Sequence, residues 1–130
     1  MDIKNKAVKG DASSTGLRAV LNILDQWGCD QTQILKILQI SRSTYHRYRS
    51  NPESAKLSHD QLERLSCLLN IHAALRVLFD NPENVQGFMS MSNNNHFFNG
   101  AKPLDIIATG NFGALYETNK HIIALQDDLR

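Results

Sequence analysis

The sequence lacks long hydrophobic runs and paired cysteines, and each absence excludes a class of protein. None of its apolar runs approaches the roughly 18 residues that a membrane-spanning helix needs, so no membrane association is expected. Residues 1–10 are polar and lysine-bearing, unlike a secretory signal, which predicts a cytoplasmic protein. Cys29 and Cys67 are far apart and outside any Cys-x-x-Cys pair, which favours buried thiols over redox or metal roles.

The residue patterns of common active sites are also missing. The five histidines show no i, i+4 metal-binding pair and no cysteine at ligand spacing: they are His46, His59, His72, His96 and His121. There is no phosphate-cradling glycine loop and no nucleophile elbow. We therefore expect no enzymatic activity, no metal and no cofactor.

Acidic residues are absent from one window of the chain. Residues 31–52 contain no aspartate or glutamate but hold four cations: Lys36, Arg42, Arg47 and Arg49. Residues 1–56 carry nine Lys or Arg against five Asp or Glu (+4), whereas residues 57–130 carry five against eight (−3). This split indicates two surfaces with different partners, and the acid-free window suits a polyanion.

Apolar spacing and capping residues predict an all-α fold. Residues 1–12 are predicted to be a flexible tail, and Ser13, Ser14 or Thr15 is expected to cap a first helix that Gly28 ends. Asn70 is expected to break or bend the fourth helix. Gly110 is expected to adopt a left-handed conformation after a short helix from residue 103 to residue 108. The other predicted caps are Asp30, Ser41, Ser58 with Gln61, Asn81 and Asn111.

The second and third helices, joined by residues 39–41, have the spacing of a helix-turn-helix. If Tyr45 and Tyr48 face inward, the opposite face of the third helix suits a DNA major groove. The start of the second helix offers backbone amides to a phosphate. The predicted DNA-contacting residues are Gln31, Thr32, Arg42, Ser43, Thr44, His46, Arg47 and Arg49. A single unit makes few phosphate contacts, so a homodimer on two half-sites is expected. The alternative is that the helices merely pack and the arginines form a solvated face.

The stretch from Leu17 to Leu69 resembles the helix-turn-helix of the Xre and phage-repressor group, with two departures. Leu35 stands where those domains usually carry a small residue, and Gln39 stands where they usually carry glycine. Gln39 must then adopt a conformation that glycine takes more easily.

The C-terminal part resembles the toxin-binding domain of the MbcA/ParS/Xre antitoxins. Asn99-Gly100, the run from Pro103 to Gly110 and the following helix match that family's order of glycine turn, Pro-Leu helix, glycine break and final helix. The resemblance implies a helix-turn-helix DNA-binding domain at residues 13–70, packed on a small toxin-binding helical domain at residues 71–130. It further implies a type II antitoxin that occludes the nucleotide pocket of a RES-type toxin, which consumes NAD or transfers ADP-ribose, and that represses its own operon through operator DNA.

Residues exposed around the C-terminal core are the expected toxin contacts. Phe97 and Phe98 are adjacent and do not easily enter one helical core together, so an exposed aromatic is expected there. Asp127 and Asp128 are hypothesised to mimic the NAD pyrophosphate, while Arg130 pairs with a catalytic acid; an ordinary frayed terminus is the alternative. The full expected set is His96, Phe97, Phe98, Asn99, Lys102, Asp127, Asp128 and Arg130.

Two further interpretations stay open at this point. The chain could be a stand-alone helix-turn-helix transcriptional regulator whose C-terminal half only dimerises or senses a ligand. It could also be a pure toxin inhibitor whose DNA-binding face has decayed, which Leu35 and Gln39 make conceivable.

Overall fold

The computed structural model describes the backbone of residues 2–128 and the side chains of residues 13–128. Every regular element in this part of the chain is helical, which confirms the all-α prediction. A short 3-10 turn, Pro52–Ser54, joins the third and fourth helices. The α-helices, in chain order, are α1 Asp2–Gln26, α2 Gln31–Leu38, α3 Arg42–Ser50, α4 His59–Leu78, α5 Pro82–Phe88, α6 Pro103–Ile107 and α7 Phe112–Asp128.

Most helix starts carry the side-chain caps that the sequence predicts. The Asp30 carboxylate accepts the Gln33 amide at 2.8 Å, and the Gln33 side chain accepts the Asp30 amide at 2.8 Å. Ser58 and Gln61 form the same reciprocal box at the start of α4. These bonds satisfy amides that the first turn of a helix leaves without an intrahelical partner. Single side-chain caps begin α3, α5 and α7, from Ser41, Asn81 and Asn111.

Two helix boundaries differ from the prediction. Helix α1 begins at Asp2 and runs through the serines expected to cap it, so helical backbone replaces the predicted start at residues 13–15. Helix α4 continues past Asn70, because this side chain is exposed while Leu68 and Ile71 beside it are buried. Local preference for a cap or break is a weak signal when the helix buries an apolar face on other helices. The division into three segments at residues 12 and 70 stays a prediction.

Helix α4 is the centre of the molecule. It packs on α1, α2 and α5, and most extensively on α7. The core residues come from both ends of the chain. Leu24 of α1, Trp27 directly after α1, and Leu115 and Ile122 of α7 are buried with the apolar stripe of α4. The helix-turn-helix and the C-terminal helices therefore share one hydrophobic core.

The described part of the chain holds neither a membrane helix nor a metal cluster. No helix among residues 2–128 is long and apolar enough to cross a bilayer, and the described side chains form no group of three His, Cys, Asp or Glu that could hold a metal ion. Both cysteines are free thiols. Burial, with the charges of Asp30 and Asp25, raises the pKa of Cys29 to about 12, and burial also raises the pKa of Cys67. Such thiols are poor nucleophiles at neutral pH.

Candidate functional site

Helix α3 is anchored on one side and exposed on the other. Tyr48 lies in the core, as predicted, whereas Tyr45 is half-buried. The opposite side carries four of the predicted DNA-contacting residues, and their spacing in a helix places them on one face. All four are exposed: Arg42, Ser43, His46 and Arg47.

This face of α3 carries cations without a carboxylate partner. None of the ion pairs described among residues 13–128 involves Arg42 or Arg47. The Arg47 guanidinium carbon lies 5.5 Å from the centre of the Tyr48 ring, which orients the side chain without neutralising it. Lys36, in the last turn of α2, is also exposed. The acid-free window thus folds into a cationic surface of the kind that phosphates favour.

Arg49, predicted to contact DNA, is directed at α1 instead. Its two terminal nitrogens donate to the Asp25 carboxylate at 2.9 and 2.6 Å, and its Nε donates to the Tyr45 hydroxyl at 2.9 Å. The hydrogen bond to Asp25 is the main reason that the pKa of Arg49 is raised. A bidentate pair of this geometry fixes the guanidinium. The structure therefore assigns Arg49 to holding α3 on α1. Its contact with DNA stays a prediction, which this pairing disfavours.

The starts of α2 and α3 are partly occupied by their own caps. The Ser41 hydroxyl accepts the Thr44 amide at 3.1 Å and donates to the Thr44 hydroxyl at 2.9 Å, and Thr44 is half-buried. At α2, the Asp30 carboxylate sits at the helix start, so a phosphate approaching Gln31 or Thr32 would meet an anion. The DNA contacts of these residues stay predictions, with α3 offering the more favourable surface.

The turn between α2 and α3 contains the strained backbone that the sequence predicted. Gln39 has φ 56° and ψ 54°, the left-handed conformation that costs a non-glycine residue about 1 kcal/mol or more. Its side-chain Nε2 donates to the Lys36 carbonyl at 2.8 Å, and Gln61 Nε2 donates to the Gln39 carbonyl at 3.0 Å. These bonds from both sides keep the turn in place without glycine.

The loop between α5 and α6 places its two phenylalanines differently. Phe98 is only 2% exposed and packs edge-to-face on Phe88, with ring centres 6.4 Å apart. The expectation that Phe98 offers a surface to a partner is therefore wrong, because its ring lies in the core. Phe97 is half-buried and stacks on His121 of α7 at 4.1 Å with nearly parallel rings. His96, Asn99 and Lys102, also in this segment, are exposed.

The other expected toxin contacts lie further along α7. Asp127 and Asp128 are exposed in its last turn, whereas Arg130 lies outside the described residues. Asp128 follows His121 by seven residues, which places it on the same helix face about 10 Å further along. The Phe97–His121 stack therefore brings the loop to the side of α7 that ends in Asp128. Sequence patterns give no signal for this stack, because it joins residues distant along the chain.

A helix-turn-helix with an exposed basic face on its second helix, in an all-helical chain, defines a DNA-binding regulator class. The model of the antitoxin Xre-like helix-turn-helix domain matches residues 6–70, half of the chain. This chain belongs to the Xre-like helix-turn-helix antitoxins, a family of DNA-binding regulators that implies a toxin partner.

One similar protein extends the likeness beyond the helix-turn-helix. The uncharacterized protein y4oB of Sinorhizobium fredii is 31% identical over 109 residues, which cover 83% of this chain and 81% of that protein. The alignment is too long to lie within the matched domain alone, so the similarity includes part of the C-terminal helices. No solved structure matches the chain.

Proposed function

We propose that this chain is the antitoxin of a type II toxin–antitoxin pair in the cytoplasm, with separate surfaces for DNA and toxin. The face of α3 binds operator DNA, and the C-terminal surface occludes the active site of a RES-type toxin that consumes NAD or transfers ADP-ribose. The observation that carries the proposal is the exposed, carboxylate-free cationic face of α3 in a chain of the Xre-like antitoxin family.

The DNA arm depends on Arg42 and Arg47. Both are exposed, and arginine donates two hydrogen bonds to the major-groove edge of guanine. Ser43 and His46 lie between them on the same face and complete a surface for base edges and phosphates. Since one α3 makes few contacts, two copies binding adjacent half-sites supply the affinity that one copy lacks.

Gel shifts on the chain's own promoter region test this arm. Arg42→Ala and Arg47→Ala are each expected to weaken binding by about 1–3 kcal/mol. Arg76→Ala is the matched control, because Arg76 is an exposed arginine on α4, remote in sequence from α3. Equal affinities of the Arg42 and Arg76 variants would contradict the assignment of α3 as the recognition helix.

The toxin arm rests on the resemblance of residues 99–125 to the toxin-binding domain of related antitoxins and on the exposure of charged groups there. His96 and Lys102 lie in the loop that Phe97 fixes on α7, and Asp127 and Asp128 lie at the end of that helix. Carboxylates suit a pocket whose cationic groups bind a pyrophosphate. The loop and the end of α7 are the proposed contact surface.

Co-expression with a RES-type toxin encoded beside this gene, followed by NAD assay and growth, tests the toxin arm. The native chain is expected to prevent NAD loss, and Asp127→Asn with Asp128→Asn is expected to weaken protection. Deletion of Leu129 and Arg130 tests the terminus separately, and unchanged inhibition would remove these two residues from the site. Glu83→Gln, at the exposed start of α5, is the control. Failure of the native chain to associate with the toxin or to preserve NAD would contradict the proposal.

A second candidate is a stand-alone transcriptional regulator. It is favoured by the burial of Leu115 and Ile122 of α7 against α4, which gives the C-terminal helices a role in stabilising the fold without any partner. Operator binding by the native chain, together with no association with the neighbouring toxin, would favour this candidate.

A further inference from the structure

We propose that Arg64 and Gly110 position α3 for sequence recognition, so that the junction between α6 and α7 takes part in DNA binding. The inference rests on the proposed contact between α3 and operator DNA. Arg64 belongs to α4 and Gly110 follows α6, and neither is on the exposed face of α3. They act through the turn that connects α2 to α3.

Arg64 joins three parts of the chain through one buried side chain. The residue is 6% exposed, its Nε donates to Asp60 at 2.8 Å, and its guanidinium carbon lies 5.7 Å from the centre of the Phe112 ring. One terminal nitrogen, Nη1, donates both to the Ile37 carbonyl at 3.2 Å and to the Gly110 carbonyl at 3.0 Å. A single guanidinium therefore binds the end of α2 and the start of the segment that leads into α7.

Gly110 is in contact with the same turn from the other side. A Cβ at this position would lie 2.8 Å from Gln39 Nε2 and 3.1 Å from the Lys36 carbonyl oxygen. The Gln39 side chain can move, but the Lys36 carbonyl is helix backbone. The φ of Gly110, 84°, also lies in the left-handed region that favours glycine. Close approach and conformation thus both require glycine here.

These contacts converge on the residues that direct α3. Lys36 and Ile37 lie in the last turn of α2, Gln39 is the left-handed residue that follows this helix, and α3 begins at Arg42. A displacement of the turn would be transmitted to the start of α3, which begins three residues after Gln39. Base recognition by bidentate side chains depends on placement within about 0.5 Å, so the turn is where a small displacement has a large effect.

The chemistry of position 64 indicates a role beyond filling the core. Arg64 falls on the buried stripe of α4 that continues through Leu68, Ile71 and Leu75, where an apolar side chain would be expected. Burying an arginine costs desolvation free energy, and an apolar residue of similar volume is often at least as stabilising at such a position. What the arginine adds is directional hydrogen bonding to two carbonyls on separate segments.

The test uses the full chain with conservative variants. Arg64→Lys retains the charge but cannot reach Asp60 and both carbonyls with the planar geometry of a guanidinium. Asp60→Asn is milder, because Asp60 is exposed and bonds only one edge of Arg64. Arg76→Lys, at an exposed position of the same helix, is the matched control. Each protein is titrated with its own promoter fragment and with a scrambled duplex of equal length, after its active fraction and melting temperature are measured.

We expect Arg64→Lys to lose about tenfold or more in affinity for the promoter while its affinity for the scrambled duplex, set by phosphate contacts, changes less than about threefold. Asp60→Asn is expected to shift the same ratio by a smaller factor, and Gly110→Ala to shift it in the same direction as Arg64→Lys. Arg76→Lys is expected to leave the ratio unchanged. A purely structural role would reduce the active fraction and lower both affinities equally.

Two outcomes overturn the inference in distinguishable ways. If the Arg42→Ala protein loses preference for the promoter while the Arg64, Asp60 and Gly110 variants keep it, positioning by this junction is wrong and the DNA-binding proposal stands. If the native chain shows no preference for its promoter, the proposed function of α3 fails and this inference fails with it. Should Arg64→Lys or Gly110→Ala not fold, the ratio for Asp60→Asn alone decides, and an unchanged ratio overturns the inference.

Discussion

The exposed face of α3 and the loop between α5 and α6 are the two proposed contact surfaces, and they are built in different ways. In α3 the helical period sets the direction of each side chain, so Arg42 and His46 share one face. In the loop, short hydrogen bonds between nearby residues set those directions. The Asn93 side chain accepts the Asn95 amide at 2.8 Å, and Gly100 donates to the Asn93 carbonyl at 2.7 Å. Neighbouring residues of the loop therefore differ sharply in burial. In α3, residues one helical turn apart, such as Arg42 and His46, are exposed to a similar degree.

This difference shows at which surface residues can be substituted without destabilising the fold. Substitutions on the exposed face of α3 are expected to leave the core unchanged, because Tyr48 on the opposite side of the helix anchors it in the core. In the loop, an exposed residue is next to a buried one, and the two have unrelated energetic roles.

The sharpest test of this contrast lies within the loop itself. Phe98→Ala is expected to lower the free energy of unfolding by about 3–5 kcal/mol, because a buried ring is removed from contact with Phe88 and Phe97. His96→Ala, two residues earlier and exposed, is expected to change it by less than about 0.5 kcal/mol. Chemical denaturation followed by circular dichroism measures both, and similar values for the two would place Phe98 outside the core.

A smaller effect is expected at the margin of α3. Arg49 and Asp25 are partly exposed, with side-chain exposures of 31% and 49%, so a double-mutant cycle between Arg49→Ala and Asp25→Ala is expected to give a coupling of about 0.5–1 kcal/mol in unfolding free energy. Arg49→Ala is also expected to affect promoter binding less than Arg42→Ala does. Zero coupling combined with equal losses of DNA affinity would return Arg49 to the DNA face.

The smallest expected effect concerns the turn before α3. Gln39→Gly relieves a left-handed conformation worth about 1 kcal/mol, and the loss of one exposed hydrogen bond and the greater chain entropy of glycine together offset most or all of this gain. Gln39→Ala is the matched control, because it loses the same bond to the Lys36 carbonyl and keeps the strain. Thermal denaturation should rank the glycine variant above the alanine variant, and the reverse order would show that φ strain does not matter at this position.

The predictions that held were those determined by short stretches of chain. Asp30, Ser58 and Asn111 cap helices through bonds that span three residues, and Gly110 ends its segment through its own backbone conformation. These caps and this turn depend only on residues close together in the chain, so they could be predicted from the sequence. The left-handed conformation of Gln39 was accessible from the resemblance to the Xre group, because those domains usually carry glycine at this position.

The side-chain placements that differ from expectation depend on distant residues. Arg49 lies seven residues after Arg42 and thus close to its face of α3, and only the position of Asp25 in α1 decides that its guanidinium turns toward α1. Phe98 is buried because Phe88 lies beneath it. Arg64 was not singled out, although a polar residue on the apolar stripe of α4 was a signal for a buried charge.

The contact between Arg64 and Gly110 has a consequence for protein engineering and for recombination between relatives. The family match ends at residue 70, yet the arginine inside it uses an acceptor at residue 110. The matched domain, residues 6–70, is therefore not structurally independent of the C-terminal helices. In a chimera that joins residues 1–70 to the C-terminal segment of another antitoxin, Arg64 lacks its second carbonyl acceptor. The exception is a C-terminal segment that places a left-handed glycine at the position of Gly110. We therefore expect that C-terminal segments can be exchanged between relatives only where this glycine is kept.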